Sequence, residues 1–313
     1  MIRYLSHDQI EPGKWDSCID QSFNGKVYGY SWYLDLVCPG WSALVEDDYV
    51  RVMPLPSWKK WGVSYLAQPY FTQQLGLFSQ PALSPEVLED FMDHIPDRFR
   101  YADFNLNVYN TLRNRLAETV PQDNYELDLI HPYEKIRLNY TENLKRNLKK
   151  AEMSRFSLIK GLKPEIIIDL FRMNKGASLP QLQDKQYQLL KRVIYGLISR
   201  GLCQIWAAID ENNQIAAGII WAYSHQKAIF LFSALSEDGK AKGVMPWMID
   251  TFIRERAGSS ITLDFEGSND ENLARFYASF GSRKTSYLRY RHNTLPPLYN
   301  YLYRLYRKIK SRK

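Results

Sequence analysis

The chain has 313 residues, 45% of them apolar and 24% charged, which suits a globular protein of about two domains and argues against disorder or a fibrous repeat. Three scattered cysteines, Cys18, Cys38 and Cys203, and five histidines without HxxxH or HExxH spacing give no signal for a disulfide framework, a structural zinc or a metal hydrolase, so a reducing cytoplasmic setting is expected. The net charge of +7 sits at one end: eleven Lys and Arg and no acid lie from Arg275 onward, which leaves a net charge of −4 for the residues before it.

The first residues, MIRYLSHDQIEPGKWD, contain no long apolar segment, and no window reaches 18 consecutive apolar residues, so neither a secretion signal nor a membrane-spanning helix is expected. WSALVEDDYVRVMPLP (41–56) reads as two strands around an acidic turn at 46–48, and 63–71 as a further strand. SPEVLEDFMDHI (84–95) predicts a helix with Ser84 as N-cap and Pro85 at its first position, where a missing N–H costs nothing. Alternating apolar residues make 101–108 a strand. In 140–156, Leu144, Leu148 and Ala151 fall on one helical face, while Lys145/Lys149 and Arg146/Lys150 stack on others. A second helix over 185–201 stops at Gly201. The earlier order then returns, with a hairpin over 203–223 turning at DENNQ, a strand over 227–235, a helix over 244–257 and a strand over 260–267. The repeat pairs Trp41 with Trp206 and Asp103 with Asp264 and suggests a duplicated unit. No Walker loop, GxGxxG or GxSxG occurs, so nucleotide hydrolysis, dinucleotide redox chemistry and a serine triad have no sequence support.

Two stretches could carry chemistry. In SEDGKAKGVMPWMI (236–249), Gly239 and Gly243 remove side chains where the backbone turns from strand into helix. The free N–H groups of a helix start can face an anion, and Lys240 and Lys242 add positive charge. This suits a pyrophosphate; the alternative is a plain surface turn with lysines for solubility. In LDFEGSNDENLARFYASFGS (263–282), the strand is expected to present Asp264 and Glu266 on one face and Leu263 and Phe265 on the other. Facing a cleft, either acid can act as general base toward an amine; facing water, both are simply solvated. In the next helix Phe276 is expected to face the core with Tyr277 flanking it, and spacing alone favours a packing role for Tyr277 over a catalytic one.

Taken together, the order of hairpin, strand, Gly/Lys loop, helix, strand and an Asn-containing helix with Phe-Tyr before Phe-Gly resembles the GCN5-related N-acetyltransferase superfamily. KAKGVM (240–245) and NDENLARFYASFGS (269–282) carry the resemblance. It implies that the loop with Gly239, Lys240, Lys242, Gly243 and Val244 cradles the pyrophosphate of acyl-coenzyme A. It also implies that Asn272 and Tyr277 lie near the sulfur, Tyr277 protonating the departing thiolate. The superfamily loop usually reads Arg/Gln-x-x-Gly-x-Gly/Ala; here Lys240 takes the first place and Met245 the last. The chain as a whole is similar to a narrower group, the FemAB-like twin-domain acyltransferases. Asn143, Arg146, Asn147, Lys149, Lys150 and Ala151 match the Asn/Arg/Lys-rich segment, ending in Lys-Ala, that lies between their halves.

The fold so implied is α/β (α+β): two tandem acetyltransferase-like units, each a mixed, mostly antiparallel sheet flanked by helices. Residues 1–135 would form the acceptor-side unit, 136–202 a connecting basic helical segment belonging to the C-terminal unit, 203–294 the acyl-donor unit and 295–313 a basic amphipathic tail. The first half has QPYFTQQLGLFS (68–79) in place of a Gly/Lys loop, so Tyr70, Gln73, Gln74 and Asn105 are candidates for hydrogen-bonding a polar acceptor, or else for capping strands. The expected reaction moves an acyl group from acyl-coenzyme A to an amine, with no metal and no tightly bound cofactor. Glu266 or Asp264 would be the base, and backbone N–H groups near the donor strand would hold the oxyanion. One alternative is a Fem-type transferase using aminoacyl-tRNA, for peptidoglycan or a related acceptor, with phosphates held by the basic helix and the tail. Another is a non-catalytic protein that binds an anionic surface. In the tail, Leu298, Leu302, Leu305 and Ile309 form an apolar stripe among Tyr, Lys and Arg. That pattern suits docking on the body, peripheral contact with the inner membrane surface, or RNA.

Overall fold

The structure, a computed structural model, describes residues 1–60, 62–113, 119–267, 269–297 and 299–300. The chain folds as two compact units, one built from Met1–Pro121 with the chain from Tyr287 onward, the other from Gln122–Ser286.

In the first unit β1 (Ile2–Leu5) is followed by α1 (Pro12–Gln21) and α2 (Ser31–Val37), then by the hairpin of β2 (Ser42–Glu46) and β3 (Arg51–Leu55). A second hairpin, β4 (Ser57–Lys60) and β5 (Val63–Ala67), precedes β6 (Phe78–Ser79), α3 (Pro85–Asp93) and β7 (Tyr101–Asn105). Strands β1, β2, β3 and β6 form one antiparallel sheet in that order. β7 lies parallel to β5, with Ala67 opposite Asp103. α3 starts as its sequence predicts, with Ser84 extended at the N-cap and Pro85 at the first position. Its buried Leu88 and Phe91 join Leu44, Met53 and Phe104 in the core.

The second unit runs through β8 (Thr119–Asp128), α4 (Tyr133–Leu138), α5 (Glu142–Met153), β9 (Ser157–Lys160), α6 (Pro164–Met173) and α7 (Asp184–Ile198). It continues with β10 (Cys203–Ile209), β11 (Ile215–Ser224), β12 (Lys227–Leu235), α8 (Glu237–Ala241), α9 (Val244–Arg256), β13 (Thr262–Asp264), α10 (Glu271–Ala278) and the start of β14 (Arg283–Asn293), whose residues from Tyr287 onward belong to the first unit. Its strands are ordered β8, β13, β12, β11, β10, β9; β12 and β13 are parallel and the other pairs antiparallel.

Local chemistry explains the elements. The β10–β11 hairpin closes because Asp210 Oδ1 accepts the N–H groups of Asn212 and Gln214, both at 2.9 Å, while Asn213 takes φ 58°. Thr141 caps α5 by accepting the Leu144 N–H, and the predicted stripe of Leu144, Leu148 and Ala151 is buried. That stripe, α9 and α10 cover one sheet face, where Trp221 stacks on Phe252 at 4.0 Å between ring centroids. Burying a side chain such as Phe252 contributes about 1.5–3 kcal/mol. α6 packs close to the opposite face, since a Cβ on Gly218 of β11 would lie 2.1 Å from Ile167 Cδ1.

The fold class is the one the sequence implies, but boundaries shift. The units divide at 121/122 and 286/287, where the sequence suggests 135 and 294. Sheet pairing sets these positions: Glu126 of β8 pairs with Asp264 of β13, and Arg289–Asn293 of β14 pair with β7. The strand expected over 260–267 is only the three residues of β13. Of the tail, Leu298 and 301–313 lie outside the described residues, so its apolar stripe does too. Among the described residues no helix is long and apolar enough to cross a membrane, and no group of three His, Cys, Asp or Glu residues is placed to hold a metal ion.

Candidate active site

The sheet of the second unit opens at one place. β12 pairs with β11 from Lys227 opposite Ser224 to Leu235 opposite Ala217, but with β13 only where Lys227, Ala228 and Ile229 meet Thr262, Leu263 and Asp264. After Asp264 the chain passes through left-handed backbone at Glu266 (φ 59°) and Gly267 (φ 57°) and follows β8 instead. The Phe265 N–H donates to the Tyr125 carbonyl at 3.0 Å, and a Cβ on Gly267 would come within 2.2 Å of the Asp123 carbonyl oxygen. Asn269 extends the attachment, donating to Gln122 Oε1 at 2.8 Å and accepting the Asp123 N–H at 3.0 Å. On β12, Trp221 opposes Phe230 while Ile220 opposes Phe232, so Leu231 is an extra residue, a bulge that increases local twist. Among the described residues, no strand pairs with the β13-side edge of β12 over 230–235, about 20 Å of strand at the usual rise per residue.

The Gly/Lys loop stands at the far end of that edge. Ser236 caps α8 by accepting the Gly239 N–H at 3.0 Å. Gly239 is needed for packing, since a Cβ there would lie 2.4 Å from the Ala216 carbonyl oxygen. Gly243 has φ 73° and opens α9 in left-handed backbone that other residues adopt at a cost. Val244 and Met245 begin the helix with N–H groups that have no helical partner, and Pro246 contributes none. Met245 is buried in the core, so its length does not obstruct the helix start. Lys240 is exposed, while Lys242 pairs with Asp238 at 2.8 Å. α5 abuts this corner: a Cβ on Gly243 would lie 3.3 Å from the Asn147 carbonyl oxygen and 3.9 Å from Ala151 Cβ.

At the near end, where β12 and β13 part, stands Tyr277. It is buried, its ring stacked on Phe265 with centroids 4.9 Å apart, and the rings of Phe230 and Tyr125 each lie 6.3 Å away. Phe276 is only partly buried, the reverse of the sequence expectation, because the helix turns its 277 position onto Phe265. Burial first, and the charge of Glu266 second, push the Tyr277 phenol up to about 12, so it remains a donor at neutral pH. Its hydroxyl makes no hydrogen bond to a described residue. Asn272 lies exposed in the first turn of α10, its Oδ1 accepting from Arg275 Nη2 at 2.8 Å.

Asp264 and Glu266 do not share a strand face, because β13 ends at Asp264. Asp264 is buried and its Oδ1 accepts the Glu266 N–H at 3.0 Å and Asn124 Nδ2 at 3.2 Å. Beside it, Lys227 is bonded to Glu126 and lies 3.9 Å from Asp264 Oδ2. The sequence reading missed Glu126, Asn124 and Lys227. For the first two the signal was the alternation in NYELDLI (124–130), which sets Asn124 and Glu126 on the face opposite Tyr125 and Leu127.

In the first unit, Gln74 is fully buried; its Oε1 accepts the Val108 N–H at 3.1 Å and its Nε2 donates to Gln73 Oε1 at 2.7 Å. Asn105 donates from Nδ2 to the Gln73 carbonyl at 2.7 Å and from its N–H to Gln68 Oε1 at 2.8 Å. These amides brace the 68–77 loop, while Tyr70 is exposed on it. Asp103, the counterpart of Asp264 in the repeated order, accepts from Arg289 Nη2 at 2.7 Å.

No family model and no curated protein sequence matches the chain. Solved structures do. FemX aligns with a TM-score of 0.60 at 10% identity, over 91% of this chain and 96% of its own. A conserved protein of unknown function from Bacteroides thetaiotaomicron aligns at 0.55 and 11% identity, over 94% and 100%. L-PGS from Bacillus licheniformis aligns at 0.52 and 12% identity, over 92% and 94%. At these identities the likeness concerns the fold, which is the Fem-like arrangement of mixed sheets flanked by helices that the sequence resemblance implies.

Proposed function

We infer that the second unit transfers an acyl group from a thioester donor, acyl-coenzyme A, to an amine. The observation that carries this reading is the parting of β12 from β13, with the Gly243 helix start at one end of the open edge and Tyr277 at the other. A donor with phosphates at one end, a reactive thioester at the other and an amide-bearing arm between them fits such an edge. The exposed N–H and C=O groups of β12 can pair with the arm as they would with a strand. The N–H groups of Val244 and Met245, with Lys240 nearby, would face the pyrophosphate. Near Leu231 the bulge releases backbone donors from the ladder, suitable for a developing oxyanion. The Tyr277 hydroxyl then gives its proton to the departing thiolate. The Fem-like fold agrees with a transferase at that coarse level.

A titration of thermal stability with coenzyme A and a short acyl-coenzyme A tests this reading. A ligand at a hundred times its Kd stabilises by about 2.7 kcal/mol. The shift should disappear in Lys240→Glu/Gly243→Asp, and no shift at millimolar ligand would rule out this donor.

Aminoacyl-tRNA is a second donor reading, favoured by one observation: the basic helix α5, with Arg146, Lys149 and Lys150 exposed, abuts the start of α9. It predicts binding of tRNA that weakens steeply with salt.

A further inference from the structure

Glu126 lies opposite Asp264 in the β8–β13 register, at the level where β13 leaves β12. Its neighbour Tyr125 points toward Tyr277, so Glu126 points to the other face of the sheet. One carboxylate oxygen is fully engaged: Oε1 is bonded to Lys227 and accepts Asn124 Nδ2 at 3.3 Å. The other, Oε2, accepts no hydrogen bond from any described residue, although the side chain is only 10% exposed. Asp264 differs, with Oδ1 taking two donors and the side chain 2% exposed. A carboxylate largely removed from water is expensive unless its lone pairs are satisfied, and Oε2, which is not among the fully buried side-chain atoms, is the oxygen that a donor from outside can reach.

We propose that Glu126 Oε2 receives the ammonium group of the acceptor and takes its proton, which makes the acceptor a cationic primary amine. This rests on the acyl-transfer reading above. The amine would approach from the face opposite Tyr277, with the thioester between them in the gap of the sheet. Glu126 takes one proton from R–NH₃⁺ and later releases it to solvent. The neutral nitrogen attacks the thioester carbonyl; the C–N bond forms, the C–S bond breaks, and the nitrogen passes its second proton to Glu126, which has by then released the first to solvent. That proton balances the one Tyr277 gives to the thiolate. Lys227 is a positioning residue, fixing Oε1 so that Oε2 stays turned to the gap.

The test uses n-butylammonium chloride as probe and 1-butanol as its neutral counterpart, with binding to the full chain followed by ligand-detected NMR. The wild type should bind the ammonium at least about tenfold more tightly than the alcohol, as expected for a charged hydrogen bond. Glu126→Gln should abolish that preference and Glu126→Asp should keep part of it. Equal binding of the two probes by the wild type, or an unchanged preference in Glu126→Gln, would overturn the assignment; the wild-type comparison decides even where a variant fails to fold. Coenzyme A titration of the wild type separates the two claims. An ammonium preference without any coenzyme A shift supports the Glu126 site and removes the donor, whereas a coenzyme A shift without the preference removes only Glu126.

Discussion

The ring of Tyr277 stacks on that of Phe265, with centroids 4.9 Å apart and planes 24° from parallel. Phe265 follows directly on the last residue of β13, so the same residue that carries the chain away from β12 also seats the proposed acid at the point of parting. The proposed acid and the opening of the sheet are thereby tied to one side chain.

Replacing Tyr277 with Phe keeps the stacking and removes the hydroxyl. Under the acyl-transfer reading kcat should fall about 10²–10⁴-fold, the range for a positioned acid, with donor affinity unchanged. Steady-state kinetics against a responsive amine checks this, and an unchanged kcat excludes Tyr277 as the acid.

The same substitution has a signature in stability against pH. Burial, and then the charge of Glu266, raise the phenol from 10 to about 12 in the folded chain. Below pH 10 both states hold the proton and the group makes no difference. Between pH 10 and about 12 the unfolded chain releases it first, so the wild type should lose stability relative to Tyr277→Phe across that window. Parallel curves through pH 12 would contradict the raised phenol.

Burial also suppresses the thiols, raising Cys18 to about 11 and Cys38 and Cys203 to about 12. The native protein should therefore give almost no reaction with a disulfide reagent at pH 8, while all three thiols react in denaturant. A native thiol reacting at the rate of a free one would count against this packing.

Two glycines of the loop should respond to alanine for different reasons. At Gly243 the left-handed backbone is at issue, and Gly243→Ala should cost about 1–2 kcal/mol. At Gly239 the backbone is helical but a methyl meets the Ala216 carbonyl oxygen, so Gly239→Ala should cost about 1–3 kcal/mol through displacement of α8 from β11. Chemical denaturation measures both, and Gly243→Asn should be milder than Gly243→Ala because Asn tolerates left-handed backbone.

Lys227 holds two carboxylates in a largely buried position, with side-chain exposures of 15% for Lys227, 10% for Glu126 and 2% for Asp264. Lys227→Met should destabilise the chain by about 3–5 kcal/mol, since it strands buried negative charge. Adding Glu126→Gln to that variant should recover part of the loss, and a strictly additive double variant would show that the two do not interact.

Much of this was legible in the sequence. The helical stripe of Leu144, Leu148 and Ala151, the Asp210 turn, the Ser84-Pro85 helix start and the strand 227–235 depend on short-range periodicity and capping, which a sequence displays directly. The loop at Gly239 and Gly243 was also visible, because glycine at a strand-to-helix turn marks backbone that a side chain would strain or obstruct. The reversal of Phe276 and Tyr277 was not legible, since neighbours on a helix differ by a rotation that only the packing partner, Phe265, decides.

Sequence by itself displayed the helices, strands and turns named above and the two stretches that flank the proposed donor, through patterns that act within a few residues, and its family resemblance implied the Fem-like fold class. Tertiary structure alone decided where the sheet opens, because that depends on whether 265–269 attach to β8 or to β12, a choice made by backbone and side-chain hydrogen bonds between residues more than 130 apart in the chain. It also decided which acids come together. Asp264 and Glu266 lie two apart in sequence and do not act on one face, whereas Glu126, distant in sequence, meets Lys227 and Asp264 because pairing of β8, β13 and β12 brings three separate strands to the same level. Their burial is a property of the assembled sheet rather than of any segment within it.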